Sequence, residues 1–184
     1  MPSNPIDVTV SGERELAWAK RVVDAAANPE GLLRSIGEDL VESTKQRFPR
    51  STAPDGSKWV ANRASTLEAL LGNRHRYQKG ARKGYLNAAG HKVVAGKKPL
   101  IGQSRMLSTT ISYEVNRGAS AWELIWGSDR VQAAMMNFGG KKSEFPHLWG
   151  DIPARPFMGI STADMAQIEA ETEDWLDELS NTPR

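Results

Sequence analysis

Thr109-Thr110-Ile111-Ser112-Tyr113-Glu114-Val115-Asn116, then Arg117-Gly118-Ala119-Ser120, then Ala121-Trp122-Glu123-Leu124-Ile125-Trp126-Gly127, is the stretch on which the fold turns. Apolar residues fall at every second position: Ile111, Tyr113 and Val115 in the first run, Trp122, Leu124 and Trp126 in the second. A period of two belongs to strands that bury one face. The four residues between the runs include a glycine and suit a turn, so the reading is an antiparallel hairpin with strands at 109–116 and 121–127. Its two tryptophans are expected to face the core.

Upstream the period changes to that of helices. Leu16, Ala19, Val23 and Ala27 recur at three and four residues, which predicts a helix over Gly12–Ala27 with that face inward. Asn28-Pro29 stops it and opens a second helix, read from Pro29 to about Arg47. Leu32, Leu33, Ile36, Leu40 and Thr44 mark its buried stripe, Phe48 closes it, and Pro49 is expected to end it. Ser51-Thr52-Ala53-Pro54-Asp55-Gly56-Ser57 reads as a turn anchored by Trp59. A short helix over Ser65–Leu71 ends at Gly72. Residues 73–98 then show almost no apolar periodicity and carry glycines at 80, 84, 90 and 96. They read as a long loop or flexible insertion, a length that usually signals a function or disorder.

Downstream of the hairpin, Val131–Phe138 is apolar and short, and fits either a helix turn or a strand. Asp151–Gly159 is too rich in proline for a helix and reads as an extended edge segment. Ser161 caps a last helix, with Asp164 at its third position, running to about Leu179. Its inner face is read as Met165, Ile168, Thr172, Trp175, Leu176 and Leu179. No internal repeat or linker appears. The fold class is therefore α+β: one domain over 1–184, with N-terminal helices, a small antiparallel sheet with a hairpin, and a C-terminal helix.

Composition bounds the function. With 39% hydrophobic and 25% charged residues, the 184-residue chain has enough apolar residues for one core. No run approaches the length of a membrane span, and no membrane partner is expected. Met1–Val10 lacks a basic start followed by an apolar stretch, so no signal peptide is expected. The absence of cysteine excludes disulfides and thiol chemistry and suits synthesis in a reducing cytoplasm. The net charge of +2 conceals two blocks. Residues 73–98 hold eight cations (Arg74, Arg76, Lys79, Arg82, Lys83, Lys92, Lys97 and Lys98) and no acid. Residues 164–178 hold seven acids (Asp164, Glu169, Glu171, Glu173, Asp174, Asp177, Glu178) and no Lys or Arg. Such separation concerns partners.

Sites for chemistry are scarce. His75, His91 and His147 lie far apart in sequence and read as solvated loop histidines, not metal ligands. There is no G-x-S-x-G elbow, P-loop or dinucleotide fingerprint. Asp55 and Asp151 sit in turn contexts that account for them without catalysis. Neither an enzyme nor a cofactor is expected. The eight cations, with Tyr77 and Tyr85 available to stack, form a candidate DNA-facing surface. Trp149, within Phe145-Pro146-His147-Leu148-Trp149, stands in an expected loop and is a candidate interface anchor or a local packing residue.

Ile152-Pro153-Ala154-Arg155-Pro156-Phe157-Met158-Gly159-Ile160-Ser161 resembles the signature of the phage virion morphogenesis family, which includes the G protein of phage Mu and tail-completion proteins of related long-tailed phages. Phe48, Pro54-Asp55-Gly56 and Trp59 resemble an upstream element of that family. Leu100-Ile101, Ser104-Arg105-Met106-Leu107-Ser108 and Asn137-Phe138-Gly139-Gly140 resemble further pieces, in the family's order. Met136 stands where members often carry histidine, and Arg105 where a glycine is usual. In the signature, two prolines hold the chain extended, Arg155 can offer its planar fork to a carboxylate or a carbonyl, and Phe157 can plug the core. That arrangement fits either a well-packed strand-to-helix connection or an inter-subunit contact, so Pro153, Arg155, Pro156, Phe157 and Trp149 are the oligomer or neck interface candidates.

The resemblance implies a structural virion protein that completes the tail or forms the neck, so that the tail joins the DNA-filled head. It implies a ring, six-fold like such tails, with neck, connector, tail-tube or terminator proteins as partners and non-specific contact with packaged DNA. The alternatives are a nucleic-acid-binding protein that uses residues 73–98, or a tail-terminator ring.

Overall fold

The computed structural model describes residues 13–102, 106–119, 121–148 and 150–181. Its elements run α1 (Glu13–Ala26), α2 (Glu30–Arg50), α3 (Ala64–Glu68), α4 (Ala88–Gly96), α5 (Met106–Thr109), β1 (Ile111–Arg117), β2 (Trp122–Ser128), α6 (Val131–Phe138) and α7 (Thr162–Ser180). The architecture is α+β: helices flank a two-stranded antiparallel sheet, and α7 is the last of the described elements. Val131–Phe138, open between helix and strand on its sequence, is helical.

α2 is the element on which the rest assembles. Its apolar stripe is buried as read: Ile36, Leu40, Thr44 and Phe48 are inside, with Leu32 and Leu33 half-buried. Its end differs from expectation, because the helix continues through Pro49 to Arg50. A proline this close to a C-terminus removes one donor without stopping the last turn. The stop comes from Ser51, held in the left-handed region at φ 52° and ψ 49°. Thr52 N–H donates to Arg47 O and Ser51 N–H to Phe48 O, both at 3.2 Å, a helix closure most often built on glycine. The ammonium groups of Lys58 and Lys98 donate to Arg50 O (3.0 Å) and Pro49 O (2.6 Å), so cations meet carbonyls left over at the negative helix end.

β1 and β2 form the expected hairpin, with Tyr113 opposite Trp126, Val115 opposite Leu124 and Arg117 opposite Trp122. The strands start one or two residues later than read. Met106–Thr109 forms a helical turn first, and the hydroxyls of Thr109 and Thr110 donate to Met106 O. A two-stranded ribbon is marginal alone. This one lies on α2, where the Tyr113 ring covers Gly37 so closely that a Cβ there would sit 2.5 Å from the ring. Tyr113 O–H donates to Glu38 Oε1 at 3.2 Å, and the Arg117 guanidinium stands 5.6 Å from the centre of Trp122.

The first terminal helix turns a different face inward than its apolar spacing indicates, and the last departs from its reading at two positions. On α1, Leu16, Ala19 and Val23 are exposed, as is Ala27 just beyond it, while Trp18, Val22 and Ala25 are half-buried. The largest apolar side chain sets the face, and Trp122 Nε1–H donates to Ala27 O at 3.2 Å where α1 ends. On α7, Ile168, Thr172, Trp175 and Leu179 are half-buried as read, but Met165 and Leu176 are exposed. Asp164 is buried in Met165's place and Glu171 is half-buried.

The segment 73–98 corrects the expectation of a long loop. A 3-10 turn at Asn73–His75 leads to a bridge between Arg76 and Leu86. Tyr77 N–H donates to Tyr85 O (3.0 Å) and Gly84 N–H to Tyr77 O (2.9 Å). Asn87 Oδ1 then caps α4 through Gly90 N–H (2.9 Å). The glycines here shape structure. Gly80 and Gly84 carry φ of 76° and 86°, and a Cβ on Gly90 would meet His75 O at 2.3 Å. His75 is buried instead of solvated, its Nδ1 accepting from Gly72 N–H at 3.1 Å.

The core cluster joins Phe48 from α2, Ala53 and Trp59 from the turn region, Leu107 from α5, Ile111 from β1, Ala133 from α6, and Phe157. Phe157 belongs to no helix or strand. The extended segment that carries it is the candidate site.

Candidate functional site

Residues 152–161 run extended, as two prolines favour, and are tied by hydrogen bonds to several different parts of the chain. Gly140 and Ile152 exchange both backbone bonds, at 2.9 and 2.8 Å. Arg155 N–H donates to Met136 O at 3.0 Å, and Trp59 Nε1–H to Pro156 O at 2.7 Å. Asn137 Oδ1 accepts from both Phe157 N–H (2.9 Å) and Met158 N–H (3.0 Å). A side-chain amide thus performs the task of a missing neighbouring strand, which accounts for the polar residue before Phe138 in the signature.

Phe157 is fully enclosed, its ring 5.3 Å from Phe48, which in turn meets Trp59 edge-on at 5.5 Å. Phe157 comes from the signature and Phe48 and Trp59 from the upstream element, and folding brings the three together. The turn at Pro54-Asp55-Gly56 is locked by Asp55 Oδ1, which accepts from Ser57 N–H (2.9 Å) and Ser57 Oγ–H (2.6 Å). Those bonds also hold the Asp55 carboxyl below its ordinary pKa. Gly159, at φ 137°, leaves just enough room for Pro54, whose Cγ would lie 3.0 Å from a Cβ.

Sequence reasoning missed the residue that fastens this segment to α2. Arg47 is buried, and its Nη1 donates to Phe157 O and Gly159 O, both at 2.7 Å. Its Nη2 meets Asp164 Oδ2 at 2.6 Å. Asp164 also takes Ser161 N–H (2.7 Å), returns its own N–H to Ser161 Oγ (3.1 Å), and accepts Ser43 Oγ–H. The capping box read at Ser161 is therefore present, with its carboxylate doubling as the counter-ion of a buried arginine. Burial alone would raise the Asp164 carboxyl. The hydrogen bonds from Ser43 and Ser161 and the Arg47 charge outweigh it and hold the group below its usual range. Burial lowers Arg47 in turn, against the pull of Asp164. The available signal was a cation three residues after Thr44 on a helix face that is otherwise apolar.

The interface candidates separate by position. Phe157 is interior to its own chain, and Arg155 is 8% exposed. Arg155 Nε–H donates to Val60 O (2.9 Å) and Nη2–H to Ala61 O (3.1 Å), so its fork meets carbonyls of the same chain. Burial, and then the neighbouring Arg63 charge, lower its pKa. Pro156 is exposed and Pro153 half-buried. Trp149 lies outside the described residues, as do Ser104 and Arg105.

The DNA-facing candidates divide as well. Arg76 bonds Gly84 O at 2.7 Å and pairs with Glu68, Lys97 donates to Ile101 O, and Lys98 donates to Pro49 O. Arg74 Nε–H reaches His75 Nε2 at 3.3 Å. The side chains of Lys79, Arg82, Lys83 and Lys92 are exposed and, among the described residues, have no bonded partner. Also among the described residues, no group of His, Asp or Glu is placed to hold a metal ion, and no helix is long and apolar enough to cross a membrane.

The model of the phage virion morphogenesis family matches residues 10–177, a span that takes in α2, the hairpin, the signature segment and most of α7. The chain belongs to the phage virion morphogenesis family. No curated protein and no solved structure matches it. Membership gives a structural or assembly role in a phage virion, and the family's signature is in this chain the strut that joins α2, α6, α7 and the Trp59 loop.

Proposed function

We propose that this family member completes the tail, or forms the neck, of a tailed phage. It acts without turnover, by assembling into a six-membered ring around the DNA channel at the head-proximal end of the tail. The observation that carries this reading is a pair of oppositely charged blocks, the basic segment 73–98 and the acidic α7, that among the described residues form no ion pair with each other. α7 packs on α1 and α2, whereas α4 packs on the 3-10 turn of its own segment. A chain that keeps cations and acids on separate elements can satisfy both head to tail in a closed ring, where charge sets orientation and apolar burial supplies affinity. Neighbouring neck, connector, tail-tube or terminator proteins are the further partners, and the exposed cations of the basic segment contact packaged DNA without reading its sequence.

The experiment is a mass measurement by light scattering on the purified protein, alone and mixed with tails lacking it. A six-fold species, free or formed on tails, supports the reading. Reversing Glu173 and Asp174 to lysine should weaken that species, and the loss should grow as salt is lowered. A monomer that ignores tails rejects it.

A further inference from the structure

The folded segment 73–98 carries a cavity that its charge alone does not explain. Tyr77, Ala81, Arg82, Tyr85, Leu86, Ala88 and His91 line an open site of about 700 Å³, within the size range of small-ligand sites. Two backbone bonds between the strands of the small turn set it up, with Tyr77 N–H on Tyr85 O and Gly84 N–H on Tyr77 O. Arg76 clamps the turn through Gly84 O. Both tyrosines are exposed, Tyr85 at 70%, and neither ring faces another aromatic ring among the described residues. Lys79, Arg82 and Lys83, with no bonded partner among the described residues, stand in the same turn, and Lys92 follows His91 on α4.

A duplex presents phosphates to cations but keeps its base faces stacked inside, so it gives two exposed tyrosines nothing to bind. An unpaired nucleotide offers both a π-face and a phosphate. We infer that the Tyr77–Arg82–Tyr85–His91 cavity is a binding site for unpaired nucleotides of single-stranded nucleic acid, with a base stacked on a tyrosine and the phosphates on Arg82, Lys79 and Lys83. This deepens the nucleic-acid contact assigned above to the same segment. It does not depend on the ring.

The probe is a fluorescein-labelled oligothymidylate of about 12 nucleotides, compared by anisotropy with a duplex of the same length on the full chain. The single strand should bind more tightly than the duplex. Tyr85→Ala should weaken the single strand about tenfold and leave the duplex unchanged. The ring of Tyr85 is too exposed to hold the fold, and a thermal melt checks this. Lys79→Gln with Lys83→Gln should weaken both probes and flatten their salt dependence. Equal affinity for the two probes with no effect of Tyr85→Ala overturns the inference, and so does failure to bind either. Light scattering on the same samples keeps the outcomes apart, because a ring that forms without binding the oligonucleotide rejects the cavity and spares the assembly reading.

Discussion

Replacing Arg47 by methionine keeps most of the volume of the side chain and removes everything polar it does. In the parent, one guanidinium holds Phe157 O, Gly159 O and the Asp164 carboxylate, with side-chain exposures of 6% for Arg47 and 8% for Asp164. Removing one member of a buried pair leaves an uncompensated charge and costs about 3–5 kcal/mol. Each orphaned carbonyl adds about 1 kcal/mol or more, reduced where water can enter. The bonds from Ser43 and Ser161 still serve Asp164, which keeps the total toward the middle of that range. A loss of about 4 kcal/mol is expected, close to a thousandfold in the folding equilibrium and a large share of a typical domain's stability. Urea unfolding followed by tryptophan emission and far-ultraviolet dichroism measures it. Asp164 supplies an independent handle. Its folded-state pKa lies below the unfolded value, so its stabilisation is complete above about pH 4 and fades as pH falls through the folded value. Arg47→Met should therefore lose less at pH 3 than at pH 7. A loss under about 1 kcal/mol at pH 7, or the same loss at both values, would refute the assignment of Arg47 as the fastener of the signature segment.

Thr44 is fully buried with no partner for its hydroxyl among the described residues, so Thr44→Val should stabilise by about 1 kcal/mol; an unchanged or lower urea midpoint counts against it. Gly37→Ala sets a helix-propensity gain of about 1 kcal/mol against a clash with the body of the Tyr113 ring costing about 1–3 kcal/mol, and a net loss is expected. A midpoint above the parent's would show that the ring moves aside freely. Asp39 faces Glu171 across the α2–α7 contact, and the shared hydrogen bond, then burial and like charge, raise the Asp39 pKa. A raised carboxyl is stabilising while protonated, and its contribution is lost as pH rises past the unfolded value. Asp39→Asn should thus raise the melting temperature at pH 7 but not at pH 3, by within about 0.5 kcal/mol because Asp39 is largely exposed.

The hairpin and α2 were legible because their apolar residues keep one period over a whole element. Legibility failed where polar groups decide the packing. On α7 Ile168, Thr172, Trp175 and Leu179 turn inward as read, but two further inward places go to Asp164 and Glu171, whose reasons lie on α2, more than a hundred residues away. Residues 73–98 looked unstructured because their order comes from glycine geometry, one asparagine cap and backbone bonds, none of which leaves an apolar rhythm. The signature segment was visible as a motif. That its arginine reaches Val60 and Ala61 within the same chain was not, since two unremarkable carbonyls carry no mark in a sequence.

The strut at 152–161 also sets a timetable for the chain. Its partners at Arg47, Trp59 and Asn137 are made first during synthesis, and the bonds to Arg47 and Trp59 close loops of about a hundred residues. Contacts of such separation form late and slow folding. A nascent chain that ends before Phe157 has α2, the hairpin and α6 in hand, yet leaves Phe48 without the second ring that packs on it and Trp59 without the Pro156 carbonyl that takes its indole N–H. Such a chain exposes aromatic surface and should be handled by chaperones. Completion of α7, with its acidic face, coincides with closure of the core, so a subunit gains that face as it finishes folding.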